Sequence, residues 1–321
     1  MSGEFDLIRK YFRNATASRN DVTLGVGDDC ALLQVPAGQH LAVSMDTLVC
    51  GRHFVADADP ESLGHKALAV NLSDLAAMGA EPAWVTLGLT LPQVDEPWLA
   101  AFMRGFSGLA AQHKVQLIGG DTTRGPLSVT VQVHGFLPPG GALVRSGAAS
   151  GDLVYVSGTV GDAGLALLAQ QGLYVRDGSF GSLKERLDRP IPRVALGLAL
   201  RGHASAAIDL SDGLGGDLQH ICEESGLGAI LYLDTLPLSD AVRDYVEETG
   251  DWSVPLSSGD DYELAFTIPA SGQAAFESLA AKFDVPVTQV GMMERGSTVR
   301  AIHPDGNTVD EVATGYDHFN A

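Results

Sequence analysis

Aspartates recur where short apolar runs begin or end, and this recurrence constrains the chain more than any other feature. Leu117-Ile118 leads into Gly119-Gly120-Asp121-Thr122-Thr123-Arg124, and Val22-Thr23-Leu24-Gly25-Val26 leads into Gly27-Asp28-Asp29. Ala206-Ala207-Ile208 leads into Asp209-Leu210-Ser211-Asp212-Gly213, where Asp209 and Ser211 are expected to share a strand face, and Ser258-Gly259-Asp260-Asp261-Tyr262-Glu263 precedes the run Leu264–Ile268. Glycine permits sharp turns and close approach of backbone N–H groups, so each junction presents carboxylates at a strand tip. Taken singly, a Gly-Asp junction is also an ordinary turn. Adjacent carboxylates are costly. At about 4 Å and an effective dielectric near ~20 their repulsion is roughly 4 kcal/mol, so water or a cation must screen them.

The periodicity predicts an α/β chain. Phe5, Ile8 and Phe12 recur at helical spacing. In Leu41–Asp46, Leu41, Val43 and Met45 alternate with Ala42, Ser44 and Asp46, so Ser44 and Asp46 project from one strand face. Residues 61–79 read as a helix with Leu68, Leu72 and Leu75 as its apolar stripe. Asn71 and Asp74 lie one turn apart beside Ala67 and Met78, which makes Asp74 a lone acid in apolar company. Strands are expected over Trp84–Leu91 and Leu127–Leu137, with a helix around Leu99–His113 between them. At 321 residues the chain exceeds one ordinary core, and Pro138-Pro139-Gly140-Gly141 interrupts the pattern. The expected organisation is a mixed-sheet α/β domain over 1–138, a linker over 139–151 and a second α/β domain over 152–321. In the second half a strand (Leu153–Ser157) and a helix (Asp162–Gln171) flank Gly158 and Gly161. That turn is a weak match to a phosphate cradle and is better explained by close helix–strand packing.

Forty acidic against 20 basic residues give a net charge of −20, which argues against nucleic acid as a partner. It also disfavours an anionic substrate unless metal ions intervene. Three cysteines, Cys30, Cys50 and Cys222, lack CxxC spacing and are expected to be small, reduced core residues. The first residues mix charges among apolar positions unlike a signal peptide, and no run approaches membrane-spanning length. A soluble cytoplasmic protein is expected. The acidic set, Asp28, Asp29, Ser44, Asp46, Asp74, Asp121, Asp209 and Asp212, offers hard oxygen ligands without His or Cys, which points to Mg²⁺ or Mn²⁺ rather than zinc. Several such ions beside glycine-rich turns suggest phosphate chemistry on a nucleotide. No P-loop, kinase signature set, G-x-S-x-G or H-E-x-x-H is present.

Five blocks together resemble the bacterial thiamine-monophosphate kinase family. They are Gly27–Ala31, Asp46-Thr47-Leu48, Asn71-Leu72-Ser73-Asp74-Leu75-Ala76-Ala77-Met78-Gly79-Ala80, Gly119–Thr123 and Asp209–Gly213. That family lies in the aminoimidazole-ribonucleotide synthetase and selenophosphate synthetase superfamily. The resemblance spans the chain in order, from Gly3-Glu4-Phe5 to Gly315-Tyr316-Asp317, and the Asn71–Ala80 block is its most specific part. It implies a two-domain α/β fold and ATP-dependent conversion of thiamine monophosphate to thiamine diphosphate, with several Mg²⁺ ions between the domains. It implies that Asp29, Ser44, Asp46, Asp74, Asp121, Asp209 and Asp212 hold metal, with the Met45 carbonyl, and that Asp74, Asp121 and Asp212 carry the catalysis. Gly120, Asp121, Arg145 and Ser211 would meet ATP, whereas His53, Asp260 and Tyr316 would meet thiamine monophosphate. Where members of the family have Gly-Glu-Asp-Tyr-Glu, this chain has Gly259-Asp260-Asp261-Tyr262-Glu263, one methylene shorter at the substrate position. Tyr316 could stack on the thiazolium cation, or it could anchor the chain end as a core aromatic. A homodimer through the first domain is expected. The alternatives are another superfamily member that activates a different acceptor, and a nucleotide-sensing module that binds Mg-ATP without turnover.

Overall fold

The computed structural model describes residues 4–174, 180–309, 312 and 315. The chain separates into one unit of Met1–Leu75 with Ala80–Gly140, and another of Ala76–Gly79 with Gly141–Ala321. In the first unit, α1 (Glu4–Leu7) continues as a π-helical turn (Ile8–Phe12), and β1 (Val22–Leu24) pairs with β2 (Leu32–Leu33). Then come β3 (His40–Val49), α2 (Pro60–Ala77), β4 (Glu81–Leu91), α3 (Glu96–Gln112), β5 (Gln116–Arg124) and β6 (Ser128–Leu137). The last four strands form one sheet in the order β3-β6-β4-β5, antiparallel except for the parallel β4–β5 pair. This mixed sheet matches the alternation seen in sequence.

Register decides which side chains share a face. Asp46 stands opposite Val131, Val131 opposite Leu87 and Leu87 opposite Gly120, so these four positions line one side. Val129, Val133, Val85 and Leu89 share that side and are buried. Helix α2 lies on it, since Leu75 approaches Gly135. Helix α3 starts at Asp95, whose carboxylate accepts the Trp98 N–H at 3.0 Å as an N-cap. The two helices pack backbone to backbone. A Cβ at Gly64 would fall 2.0 Å from the Phe102 carbonyl oxygen, and one at Gly105 would fall 1.8 Å from that of Glu61. The other sheet side is open along β3, where Leu41, Val43 and Met45 are 41%, 51% and 58% exposed. Near Trp84, Ile118 and Phe136 that side is covered by Val22 and Leu33 of the β1–β2 ribbon.

The second unit begins with β7 (Leu153–Ser157), α4 (Asp162–Gln170), α5 (Phe180–Asp188), α6 (Val194–Leu200), β8 (Ala206–Asp209), α7 (Leu214–Ser225) and β9 (Gly228–Tyr232). It continues with α8 (Asp240–Thr249), α9 (Ser253–Ser257), β10 (Leu264–Ile268), α10 (Gln273–Ala280), β11 (Val287–Glu294), β12 (Val299–Ile302) and β13 (Thr308–Val309). Seven strands pair in the order β13-β12-β9-β11-β7-β10-β8, and β9–β12 is the one parallel pair among them. Val154, Val156, Ile208 and Ala265 pack with Leu165, Leu218 and Ile221 in one core. Tyr155 stacks on Phe266 at 5.9 Å, and Phe276 meets Tyr155 edge-on at 5.0 Å. The architecture is thus two-domain α/β, as expected from sequence. Two expectations need correction. Strand β8 ends at Asp209, so Ser211 lies in the following turn rather than on a strand face. Only Cys222 is a core thiol: Cys30 is exposed because it follows the exposed Asp28-Asp29 turn, and Cys50 is half-buried.

The glycine contact makes a local prediction. Gly105→Ala should cost about 1–3 kcal/mol or more in urea unfolding, because the helices cannot separate without opening the core. Gly108→Ala, in the same helix with nothing within 4 Å of a new Cβ, should instead stabilise by about 0.5–1 kcal/mol.

Candidate active site

In the first unit, the residues of α2 from Leu63 to Ala77 are buried with one exception, Asp74, which is half-buried. A helix buried on nearly every side leaves little room for a charge, so this carboxylate is held where a partner meets it. That partner is Ser44 on β3, whose Oγ donates to Asp74 Oδ2. One strand repeat on, the Asp46 N–H donates to Asn71 Oδ1 at 3.1 Å, while Asn71 Nδ2 donates to the Ala67 carbonyl at 3.0 Å. Asn71 is therefore a buried brace that ties the edge strand to the helix one turn before Asp74. Ser44 and Asp46 share one face of β3, as the alternation predicts, and on that face the Ser44 hydroxyl meets Asp74.

Asp121 is not part of that group. It pairs with Gly88, opposite Thr130 and then Thr47, and so projects from the side that carries Met45, not the side of Asp46. It also sits on β5, the far edge strand, three strand spacings or about 14 Å from β3. Gly120 does face the side of Asp46, where a Cβ would fall 1.9 Å from the Leu87 carbonyl oxygen, so no side chain fits there. The irregular register between Leu117 and Gly119 sets these directions, and no sequence pattern announces it. Met45 itself is exposed on β3 opposite Gln132. Asp28 and Asp29 lie in an exposed turn, where the Asp29 N–H donates to Asp28 Oδ1 at 2.9 Å. His53 follows β3 in a turn and accepts the Val49 N–H on Nδ1 at 2.9 Å.

In the second unit two acidic segments are zipped together. Beyond the β8–β10 ladder, the Leu210 N–H donates to the Glu263 carbonyl at 2.8 Å, the Tyr262 N–H to that of Leu210 at 2.8 Å and the Asp260 N–H to that of Ser211 at 2.9 Å. Gly259 allows this closeness, since a Cβ there would fall 2.2 Å from the Ser211 oxygen. Asp209 is buried, Asp212 is half-buried, and the Asp212 N–H donates to Asp217 Oδ2 at 3.0 Å. Asp217, in the first turn of α7, was not singled out in sequence because a first-turn acid is common in helices. Burial pushes its carboxyl well above the usual range, and the charges of Asp209 and Asp212 push it further. Arg145 is exposed, and its carbonyl accepts the Ser225 hydroxyl at 3.1 Å. Tyr316 lies outside the described residues, whereas a Cβ on Gly315 would stand 3.4 Å from that of Asp212.

The turn before α4 is filled from within. Asp261 accepts the Gly161 N–H at 2.8 Å, with the Ala163 N–H at 3.5 Å, so a protein carboxyl occupies the position a phosphate would take. This supports close packing at that turn. Among the described residues, no three His, Cys, Asp or Glu side chains converge as a ready metal site, and no helix is long and apolar enough to cross a membrane.

Residues 27–137 match the profile of the AIR synthase related protein N-terminal domain, and residues 149–303 that of its C-terminal domain. The chain therefore belongs to the AIR synthase related proteins. It is 52% identical over 319 residues to the thiamine-monophosphate kinase of Salmonella typhimurium, covering 99% of this chain and 98% of that one. The crystal structure of thiamine-monophosphate kinase from Stenotrophomonas maltophilia is 47% identical, with a TM-score of 0.87 over 96% of this chain and 98% of that one. AaThiL complexed with AMPPCP and TMP is 30% identical, with a TM-score of 0.76 over 99% and 97% of the two chains. Within the AIR synthase related proteins, this chain is a member of the thiamine-monophosphate kinase family.

The buried Asp261 makes stability depend on pH. Burial pushes its carboxyl up to about 8, the Gly161 N–H and Arg186 pull against that, and Asp162 and Glu263 add to it. A carboxyl whose pKa is raised on folding contributes stability that is complete below its unfolded pKa of about 4 and is lost as pH rises through the folded value. Asp261→Asn keeps the shape without the ionisation. Its melting temperature relative to the natural protein should therefore rise progressively from pH 5 to above pH 8, as differential scanning calorimetry would record.

Proposed function

We propose that this chain phosphorylates thiamine monophosphate to thiamine diphosphate at the expense of ATP, by direct in-line transfer assisted by several Mg²⁺ ions. The observation that carries this is the near full-length likeness to thiamine-monophosphate kinases, including a relative complexed with AMPPCP and TMP. The oxygen donors support it. Mg²⁺ keeps several waters and is typically bound by one or two carboxylates plus substrate phosphates rather than by an all-protein cage. Sparse groups such as Ser44–Asp74 and Asp209–Asp212 suit that chemistry.

When bound, the metal would neutralise phosphate charge between two polyanions that an acidic protein otherwise repels. In this proposal Asp29, Ser44, Asp46, Asp74, Asp121, Asp209, Asp212 and the Met45 carbonyl hold the ions, with Asp74, Asp121 and Asp212 most directly engaged in transfer. Gly120, Asp121, Arg145 and Ser211 meet ATP, and His53, Asp260 and Tyr316 meet thiamine monophosphate. The acceptor is a phosphate oxygen that already carries roughly −1.5 to −2 of charge on its group at neutral pH, so no general base is required. Asn71 orients the edge strand, and Asp217 holds the turn that carries Asp212.

Homodimerisation through the open side of the first sheet belongs to the same proposal. It would cover Leu41, Val43 and Met45, and it would let Asp121, which faces away from the Asp46 group of its own chain, serve a second copy. An exposed apolar sheet face is otherwise a liability.

Purified protein given Mg-ATP and thiamine monophosphate should release thiamine diphosphate and ADP on chromatography, and equal ATP consumption without the acceptor would refute the assignment. Asp74→Asn should lower turnover more than roughly a hundredfold while leaving the fold intact. Asp188→Asn, which removes a surface partner of Lys184, should be nearly silent. Light scattering at micromolar concentration should give a dimer, and Val43→Arg should shift it to monomer with loss of turnover. A monomeric natural protein with full activity would sink the dimer proposal.

A further inference from the structure

Asp260 and Tyr262 are non-glycine residues held at φ +71° and +49°, in the left-handed region that side chains disfavour. Such conformations persist only where the surroundings over-determine them. Here the surroundings are two buried carboxyls, Asp261 and Glu263, that alternate with Asp260 and Tyr262 along the chain. Asp261 is bound to the N–H groups that open α4. Glu263, with no exposed surface, accepts from Arg186 Nη2 at 2.7 Å, Arg193 Nε at 2.6 Å and Ser157 Oγ at 2.6 Å. The same Ser157 hydroxyl accepts the Leu264 N–H at 2.9 Å, closing the loop onto β7. Even the glycine at 158 is part of the clamp, since a Cβ there would fall 2.1 Å from Glu263 Oε1. Arg186 also stands 3.6 Å from Asp162 Oδ2, so the second arginine-facing acid comes from the start of α4.

A single carboxylate with two arginines and a hydroxyl is an expensive thing to bury, and removing one partner leaves uncompensated charge. Glu263 itself has no exposed surface, so it does not bind substrate directly. What it fixes is the backbone of Asp260 beside Ser211, through the hydrogen bond from Asp260 N–H.

We infer that Glu263, clamped by Arg186 and Arg193, is a positioning residue that sets how Asp260 is presented to thiamine monophosphate. An aspartate side chain is short and tolerates little drift of its backbone, so the hold on the neighbouring Glu263 bears directly on where the Asp260 carboxylate stands. This rests on the proposed substrate contact of Asp260, and the test separates the two.

The full-length protein is compared as Asp260→Ala, Glu263→Gln and the double variant, with KM measured for each substrate and melting temperature for each protein. Asp260→Ala should raise the KM for thiamine monophosphate roughly tenfold. Glu263→Gln should raise it roughly five- to tenfold with the KM for ATP within about twofold, and the double variant should be no worse than Asp260→Ala alone. Should Glu263→Gln not be recovered folded, Arg193→Gln is read in the same way. If Asp260→Ala leaves KM unchanged, the substrate contact fails and the positioning role falls with it. If Asp260→Ala acts but Glu263→Gln does not, or the two effects simply add, the contact stands and the positioning role is refuted. Equal weakening of both substrates with a fallen melting temperature would show Glu263 to be structural only, which also overturns the inference.

Discussion

The acidic surface of the second unit depends on the backbone ladder that runs past the end of β8 and joins Leu210–Ser211 to Asp260–Glu263. Those bonds take two segments some fifty residues apart in sequence and hold them side by side, with Asp209 and Asp212 on one segment and Asp260 on the other. The ladder in turn requires Gly259 and Gly213, since a Cβ at either would run into Ser211 or Ser257. It also requires that the positive φ values of Asp260 and Tyr262 be offset, which the interleaved buried carboxyls of Asp261 and Glu263 accomplish. Hydrogen bonding, glycine and buried charge act here as one unit.

The first unit solves a related problem with packing. Its helices α2 and α3 touch through backbone at Gly64 and Gly105, which draws α2 tightly into the core and leaves Asp74 as the one residue between Leu63 and Ala77 that is not buried. Asn71 and Ser44 then connect that helix to the edge strand, so the strand end cannot drift from the carboxylate. The charge of Asp74 is tolerated there because the Ser44 hydroxyl donates to it and it keeps some exposure to solvent.

Asp217 holds its proton far above the usual range because burial and the charges of Asp209 and Asp212 all oppose ionisation. Around Glu263, by contrast, Arg186, Arg193 and the Ser157 hydroxyl all meet the carboxylate. The protein thus settles two buried carboxyls in different ways, Asp217 by holding its proton and Glu263 by ion pairs.

Much of this was legible in the sequence. Alternation at Leu41–Asp46 gave the faces of β3, the lone acid at Asp74 stood out against its apolar helix, and the motif blocks pointed to the family, because periodicity and local residue type are properties of a few consecutive positions. The breaks at Pro138–Gly141 likewise mark where local chemistry changes. Other features were decided only by tertiary structure. Asp121 faces away from Asp46 because a local irregularity between Leu117 and Gly119 sets its direction, and one residue of slip moves a side chain to the opposite face. The roles of Asn71, Asp217, Asp261 and Glu263 were hidden because each depends on a partner distant in sequence or on burial, and the same residue types on a surface would carry no such meaning. Local pattern determines what a segment can become, while long-range packing decides which carboxylates are consumed by the fold and which remain for chemistry.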